Sequence, residues 1–246
     1  MSGKPAPAGS QIAAPAASQK RAREVQSGAT RAAVLGISDG LVTNVSLILG
    51  IAGAQASGHF VQLAGLASLV AGAASMAVGE YISMAAQVEL LQRLLAEYRE
   101  FMKRNPEAAR EELEEFIRRG GVMQATAHNA SKQISMVPDR ALAVYARSLG
   151  LDPEELGSPW KAATTSLFTF AAGALVPLLP WFFTTGTTAA MASLALGGAS
   201  ALAVGGMLGY LGGRNVLWSA VRQLLVLALA AGATWGAGKL FNVTVT

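Results

Sequence analysis

The stretch VQLAGLASLVAGAASMAVGEYISM, residues 61–84, decides how this chain must fold. Its residues are mostly small or apolar, and Glu80 is the one charged side chain among them. The stretch exceeds the roughly 20 residues that a helix needs to cross a hydrocarbon core of about 30 Å. A soluble protein would place Glu80 on an exposed helix face, whereas inside a membrane such a carboxylate is a functional candidate by default.

The distribution of charge extends this argument to the whole chain. Only 14% of the 246 residues are charged, against roughly 25% in an ordinary soluble domain. The charges gather before residue 32 and in the segment 88–161, and the rest of the chain is almost free of them. The apolar stretches between them are residues 32–54, 61–87, 160–182, 187–210 and 216–241. We therefore predict an all-α integral membrane protein with five transmembrane helices.

A hydrophilic segment separates the second predicted span from the third. We assign residues 1–30 to a disordered tail rich in Ala, Pro and Ser, 31–87 to the first two spans, 88–158 to an inserted helical domain and 159–246 to the last three spans. The tail and the insertion carry most of the Lys and Arg, which marks them as cytoplasmic. An odd number of spans then puts the carboxyl terminus on the opposite side.

Two carboxylates fall inside the predicted spans, Asp39 and Glu80. Each lies about seven residues from the cytoplasmic end of its helix, so we expect both at one depth, roughly 10 Å inside the membrane. Met76 precedes Glu80 by one helical turn and shares its face. A carboxylate with a thioether favours a borderline ion such as Fe²⁺, or Mn²⁺ less strongly, over Mg²⁺ and Ca²⁺.

Structural alternatives exist for each of these residues. Asp39 in ISDGLV suits the N-cap of a helix that starts there. Glu80 can form a structural ion pair with Arg222 or Lys239 of the fifth span. Met76, like Met84, can be an ordinary packing residue.

The insertion has its own pattern of helices and glutamates. An apolar stripe extends the second span to about residue 102, Asn105-Pro106 ends it, and further helices are predicted at about 107–118, 123–133 and 138–149. Glu97 with Glu100, and Glu112 with Glu115, are i, i+3 pairs that could each offer two oxygens to a metal. Spacing alone favours a solvated helix face, because opposite charges recur at i, i+4 spacing. The pairs are Arg93–Glu97, Glu100–Arg104, Arg110–Glu114, Glu114–Arg118 and Glu115–Arg119.

Composition also narrows the chemistry. The chain has no Cys, which excludes disulfides and thiolate metal sites, and two His are too few for a membrane di-iron or haem centre. No basic patch interleaves with aromatic residues, so we expect no nucleic acid partner. We find no arrangement of a nucleophile and a base, and we predict neither an enzyme nor a bound cofactor.

Three stretches resemble the vacuolar iron transporter family, in its prokaryotic type: SDGLVTNVSLILGIAGA (38–54), LASLVAGAASMAVGEYISMAAQVE (66–89) and LGLDPEELGSPWKAA (149–163). The resemblance covers nearly everything after residue 30. It implies a homodimer that moves Fe²⁺, and often Mn²⁺, out of the cytoplasm in exchange for protons. The membrane would be the vacuolar membrane in a eukaryote and the cell membrane in a prokaryote.

The resemblance also implies roles for particular residues. Asp39, Met76 and Glu80 would line the ion pathway at the dimer interface. The insertion would be a cytoplasmic metal-binding domain, with Glu97, Glu100, Glu112 and Glu115 as the nearest matches to its ligands. The chain departs from the family on the last helix of that domain, where it has Val144, Tyr145 and Ser148 in place of Met and Glu. The alternative to a transporter is a membrane scaffold or metal-sensing module that transports nothing.

Overall fold

Eight α-helices make up the part of the chain that the computed structural model describes, which is residues 28–54, 56–150 and 157–241. The helices are α1 (Gly28–Gly53), α2 (Gly58–Arg104), α3 (Pro106–Arg119), α4 (Gln124–Ser135), α5 (Pro138–Ser148), α6 (Pro159–Leu178), α7 (Gly186–Leu211) and α8 (Val216–Phe241). A short 3₁₀ helix, Leu179–Phe182, follows α6. The tail up to residue 27, the 151–156 link and residues 242–246 lie outside the described residues.

Five of these helices are long and apolar enough to cross a membrane: α1, α2, α6 with its 3₁₀ extension, α7 and α8. Their bounds agree with the predicted spans, so the all-helical membrane architecture is confirmed. At about 1.5 Å per residue, the 47 residues of α2 reach roughly 70 Å, far beyond a core of about 30 Å. The amphipathic extension predicted for the second span is therefore part of the same continuous helix.

Glycines bring α1 and α6 into close contact. A Cβ at Gly36 would meet the Thr169 side chain, one at Gly40 would meet the Phe170 carbonyl, and one at Gly173 would meet the Ile37 carbonyl. Gly36 and Gly40 are spaced four residues apart, the spacing with which small residues let membrane helices approach backbone to backbone. This contact places α6 directly against α1, with the two helices running in the same direction.

Two prolines mark the end of α6. Pro177 lies in its last turn, and the chain tightens into the 3₁₀ helix where Pro180 follows. Polar side chains from three other helices bind carbonyls around this bend. Asn44 Nδ2 donates to the Ala174 carbonyl at 2.7 Å, Ser193 Oγ donates to the Pro177 carbonyl at 2.6 Å, and Gln62 donates to the Trp181 carbonyl. These bonds satisfy groups that a bilayer core would leave without partners.

Helices α3 and α5 pack against the charged end of α2, and α4 packs on α3 and α5. Tyr98, Ala109 and Leu142, from α2, α3 and α5, form a buried cluster. The turn between α3 and α4 uses Gly121 at a φ of 86°, a conformation that favours glycine. The observed bounds of the three helices differ from the predicted ones by at most two residues. The insertion is thus a small helical unit continuous with the second span.

Candidate metal site

Asp39 lies in the middle of α1, because the helix begins eleven residues earlier at Gly28. The alternative in which Asp39 caps a helix is therefore wrong. Its carboxylate is exposed on the surface of the single chain, one turn from the exposed Leu35. Both residues fall within the candidate span 31–53. An exposed carboxylate at this position would face lipid in an isolated protomer, which is costly.

Glu80 pairs with Arg31, at 3.4 Å between Arg31 Nη2 and Glu80 Oε1. The Glu80 side chain is only 13% exposed, whereas that of Arg31 is 54% exposed. The predicted alternative partners, Arg222 and Lys239, are wrong. Lys239 instead lies over the ring of Trp235, 4.1 Å from its centroid.

Helix register separates the two carboxylates. Asn44 of α1 donates a long hydrogen bond to the Gly65 carbonyl of α2, at 3.4 Å, and Arg31 of α1 reaches Glu80 further along α2. Because α1 and α2 are antiparallel, these two contacts place Asp39 of α1 at about the level of Ala71 of α2. Glu80 is then about nine residues, or roughly 13 Å, from the level of Asp39. The prediction that both carboxylates share one depth is wrong.

The structure places Met76 partly in the packed interior. Its half-buried side chain packs against the cluster formed by Ala73, Phe170 and Ala174. Met84, two turns further along α2, is 3% exposed and belongs to the core. Packing therefore accounts for Met84 and for part of Met76, while the role of the Met76 thioether as a ligand stays a prediction.

An aromatic contact beside Glu80 joins α2 to α6. The rings of Tyr81 and Trp160 lie 4.8 Å apart between centroids and are tilted by 54°. This contact joins α2, directly beside Glu80, to the first turn of α6. Such aromatic pairs contribute roughly 0.5–1.5 kcal/mol beyond the area they bury, so they stabilise the local arrangement of the two helices.

The glutamates of the insertion form ion pairs with neighbouring basic residues. Glu97 accepts from Arg93 at 2.9 Å, Glu100 from Lys103 at 2.7 Å, and Glu115 from Arg118 and Arg119 at 2.8 and 3.2 Å. The two arginines hold the pKa of the Glu115 carboxyl below its usual value. Among the described residues, no group of three or more His, Asp or Glu side chains is arranged to hold a metal. The geometry favours the solvated-face interpretation of these glutamates.

Tyr145 lies where α2, α3 and α5 meet. Its ring stacks on that of Tyr98, with centroids 3.7 Å apart and an interplanar angle of 2°. Burial raises the pKa of the Tyr145 phenol, and the charges of Glu112 and Glu97 raise it further. Two of the predicted ligands, one from α2 and one from α3, thus lie close enough to act on this side chain. Tyr145 itself is a neutral phenol, which offers little to a divalent ion.

Sequence reasoning missed two side-chain contacts of the insertion. The Tyr98–Tyr145 stack joins residues on different helices, and only the apolar stripe that includes Tyr98 pointed to it. His128 Nδ1 lies 2.9 Å from Glu114 Oε2 and joins α4 to α3. The i, i+4 spacing predicts pairs of Glu114 with Arg110 and with Arg118, and both predictions are wrong. Arg110 pairs instead with Glu107, and Arg118 with Glu115.

Five helices long and apolar enough to cross a membrane, among the residues that the structure describes, define a polytopic helical membrane protein. The chain belongs to the VIT family, whose sequence model matches residues 30–239. The family resemblance of the three motifs is thereby confirmed.

Similar proteins occur in plants and in an amoeba. The chain is 35% identical over 219 residues to vacuolar iron transporter homolog 1 of Oryza sativa subsp. japonica, covering 87% of this chain and 74% of that protein. It is 35% identical over 217 residues to homolog 2 of the same organism, covering 86% and 89%. It is 33% identical over 211 residues to a vacuolar iron transporter of Acanthamoeba castellanii, covering 85% and 77%. These names are those of transporters and agree with the prediction that the chain is not an enzyme.

Proposed function

We propose that this protein transports Fe²⁺, and Mn²⁺ less strongly, out of the cytoplasm in exchange for protons. The observation that carries the proposal is Glu80, a carboxylate 13% exposed within a candidate span of a VIT family member. A charge held there is costly and is rarely kept without a function. The iron in the names of the relatives supports the choice of substrate.

In this proposal, Asp39 and Glu80 form two successive binding sites along one ion pathway. Their separation of roughly 13 Å along the helix axes is too large for one ion to bind both. Met76, one turn from Glu80 on the side toward Asp39, would add a soft ligand between these two sites. A thioether there would favour Fe²⁺ over the harder Mg²⁺ and Ca²⁺.

The exposure of Asp39 supports a homodimer. A single chain would turn this carboxylate toward lipid, together with exposed apolar residues such as Leu35 of α1 and Val70 and Val78 of α2. Lipid suits the apolar side chains but not the carboxylate. A two-fold interface would remove Asp39 from lipid and bring two copies of it, one from each protomer, to a shared path.

The basic residues support one orientation. Arg31 stands at the start of α1, and α3 to α5 follow the far end of the antiparallel α2, so the insertion lies on the same side as the start of α1. The excess of Lys and Arg there marks that side as cytoplasmic. The carboxyl terminus would then be non-cytoplasmic, in a vacuolar or a cell membrane.

Uptake into liposomes tests the proposal directly. The purified full chain, reconstituted with an imposed pH gradient, should accumulate Fe²⁺ at an initial rate that rises with the gradient and collapses when a protonophore removes it. Protein-free liposomes provide the baseline, and Ca²⁺ is the control ion because it lacks affinity for a thioether. Absence of uptake by folded, reconstituted protein would favour a scaffold or sensor. Uptake at a rate independent of the pH gradient would contradict proton exchange but not metal transport.

The insertion should contribute to transport without being essential to it. Glu97, Glu100 and Glu115 are paired with Arg or Lys, and the last helix offers Val144, Tyr145 and Ser148 where the family has Met and Glu, so we expect weak metal binding there. A variant with Gln at Glu97, Glu100, Glu112 and Glu115 should transport Fe²⁺ several times more slowly but measurably. Glu107→Gln is the matched control, since Glu107 pairs with Arg110 and lies outside the set. Complete loss of transport in the fourfold variant, with the control unaffected, would contradict this expectation.

A further inference from the structure

The contact between Arg31 and Glu80 joins two residues with unequal environments. Arg31 is half-exposed at the start of α1, while Glu80 is nearly buried on α2. The guanidinium touches the carboxylate through a single nitrogen at 3.4 Å, although an arginine can bind a carboxylate through two parallel hydrogen bonds. Within the described part of the chain, Glu80 has no second hydrogen-bond or ion-pair partner. The Arg31–Glu80 ion pair is therefore close enough to balance the charge of the carboxylate, and weak enough for the two side chains to separate.

A guanidinium is a suitable resident partner for such a carboxylate. It stays protonated at every physiological pH and cannot itself coordinate a cation, since it carries donors only. While it holds Glu80, it occupies the position that an arriving divalent ion needs. The half-exposed Arg31 side chain can withdraw toward water at little cost, because its stem is long and its head is already partly solvated.

We infer that Arg31 is a tethered counter-ion for Glu80: it neutralises the carboxylate while no metal is bound and is displaced by the arriving divalent ion. The inference rests on the proposed function, since it assumes that Glu80 binds the transported ion. It makes Arg31 a positioning residue that sets the affinity of the pathway. Charge at Glu80 is then balanced at each stage, first by the side chain and then by the ion.

Competition of this kind weakens metal binding by a predictable factor. The apparent dissociation constant equals the intrinsic one divided by the fraction of protein in which Glu80 is free. For an ion pair of the strength usual at partly exposed sites, that fraction is roughly one in five. Removal of the Arg31 charge should therefore tighten binding at Glu80 about fivefold. An Arg31 that merely held α1 in place would leave the affinity unchanged or weaken it.

Calorimetric titration of Mn²⁺ into the detergent-solubilised full chain tests the inference. The Glu80 site is the one lost in Glu80→Gln. Arg31→Gln should lower its dissociation constant about fivefold, and Arg31→Lys should fall between, since a strongly hydrated ammonium pairs less well than a guanidinium. Lys161→Gln is the matched control, because Lys161 is an exposed basic residue in the first turn of the adjacent helix α6. It should leave the constant unchanged.

The possible failures are distinguishable. A wild-type protein without a Glu80-dependent Mn²⁺ site would reject the proposed function and, with it, the inference. A wild type that has the site, but whose affinity Arg31→Gln leaves unchanged or weakens, would overturn the inference alone. Equal tightening in Arg31→Gln and Lys161→Gln would also overturn it, because the effect would then belong to net charge. Should Arg31→Gln fail to fold, Arg31→Lys decides, since affinity no tighter than that of the wild type overturns the inference.

Discussion

Glu80→Gln and Asp39→Asn should each reduce the flux of Fe²⁺ and of Mn²⁺ by about a hundredfold. Each substitution keeps the size of the side chain and removes the negative charge that balances the cation within the membrane. A charge deep in a bilayer costs about 2.5–3.5 kcal/mol even on insertion scales, and every 1.4 kcal/mol corresponds to about a tenfold change. The measurement is the initial rate of uptake into liposomes under a fixed pH gradient.

Folding must be controlled separately for the two variants. Asp39 has no hydrogen-bond or ion-pair partner within the described part of a single chain, so Asp39→Asn should leave the folding of each protomer unchanged. Glu80→Gln removes the partner of Arg31, but Arg31 is half-exposed and can turn toward water, so only a small loss of stability is expected. Each variant is first shown to elute as the wild-type oligomer.

Met76→Leu tests the thioether on the same helix face as Glu80. It keeps the packing against Phe170 at a cost below about 1.5 kcal/mol and removes only the sulfur. Its Fe²⁺ flux should fall more than its Mn²⁺ flux, because the softer ion loses more. Equal loss for both ions would leave Met76 as a packing residue. Unchanged flux in both carboxylate variants would end the pathway hypothesis.

The spans were predictable because each rests on local composition. A stretch such as residues 61–84 has too few polar groups to be stable in water as anything other than a buried or membrane helix. The ends of the helices in the insertion were predictable for a similar reason. Asn105-Pro106 and Gly120-Gly121 interrupt a helix through their own backbone chemistry, whatever the rest of the chain does.

The relative depth of Asp39 and Glu80 was not predictable in this way. The prediction counted residues from the presumed membrane edges, but α2 continues as one helix to Arg104 and shows no edge. Register is set instead by long-range contacts. A Cβ at Gly40 of α1 or at Gly72 of α2 would meet Phe170 of α6. The partner of Glu80 escaped prediction for the same reason, since Arg31 lies 49 residues away in sequence.

Gly40 should therefore be among the least replaceable residues of the fold, and Gly40→Val should abolish recovery of folded protein. The atoms that a Cβ would meet here belong to the backbone of α6, namely the Phe170 carbonyl and the Ala174 nitrogen. A backbone cannot rotate away as a side chain does, so α1 and α6 must separate. Overpacking usually costs about 1–3 kcal/mol, occasionally more. We expect at least the upper figure, because separation also breaks the hydrogen bond from Asn44 to Ala174.

Gly236→Ala on α8 separates this steric effect from the general effect of removing a glycine. A Cβ at Gly236 meets nothing within 4 Å, so this variant should be as stable as the wild type, or more stable by up to about 1 kcal/mol through higher helix propensity. Gly173→Ala approaches the same contact from α6, where the Cβ would meet the Ile37 carbonyl. The double variant Gly40→Ala with Gly173→Ala should lose less stability than the sum of the single losses, because helices forced apart by the first methyl group already have room for the second. Thermal unfolding followed by size-exclusion chromatography compares Gly236→Ala, Gly40→Ala, Gly173→Ala and the double variant, and the yield of folded protein is the measurement for Gly40→Val. Additive losses, or a Gly40→Val protein as stable as Gly236→Ala, would show that α1 and α6 do not depend on this backbone contact.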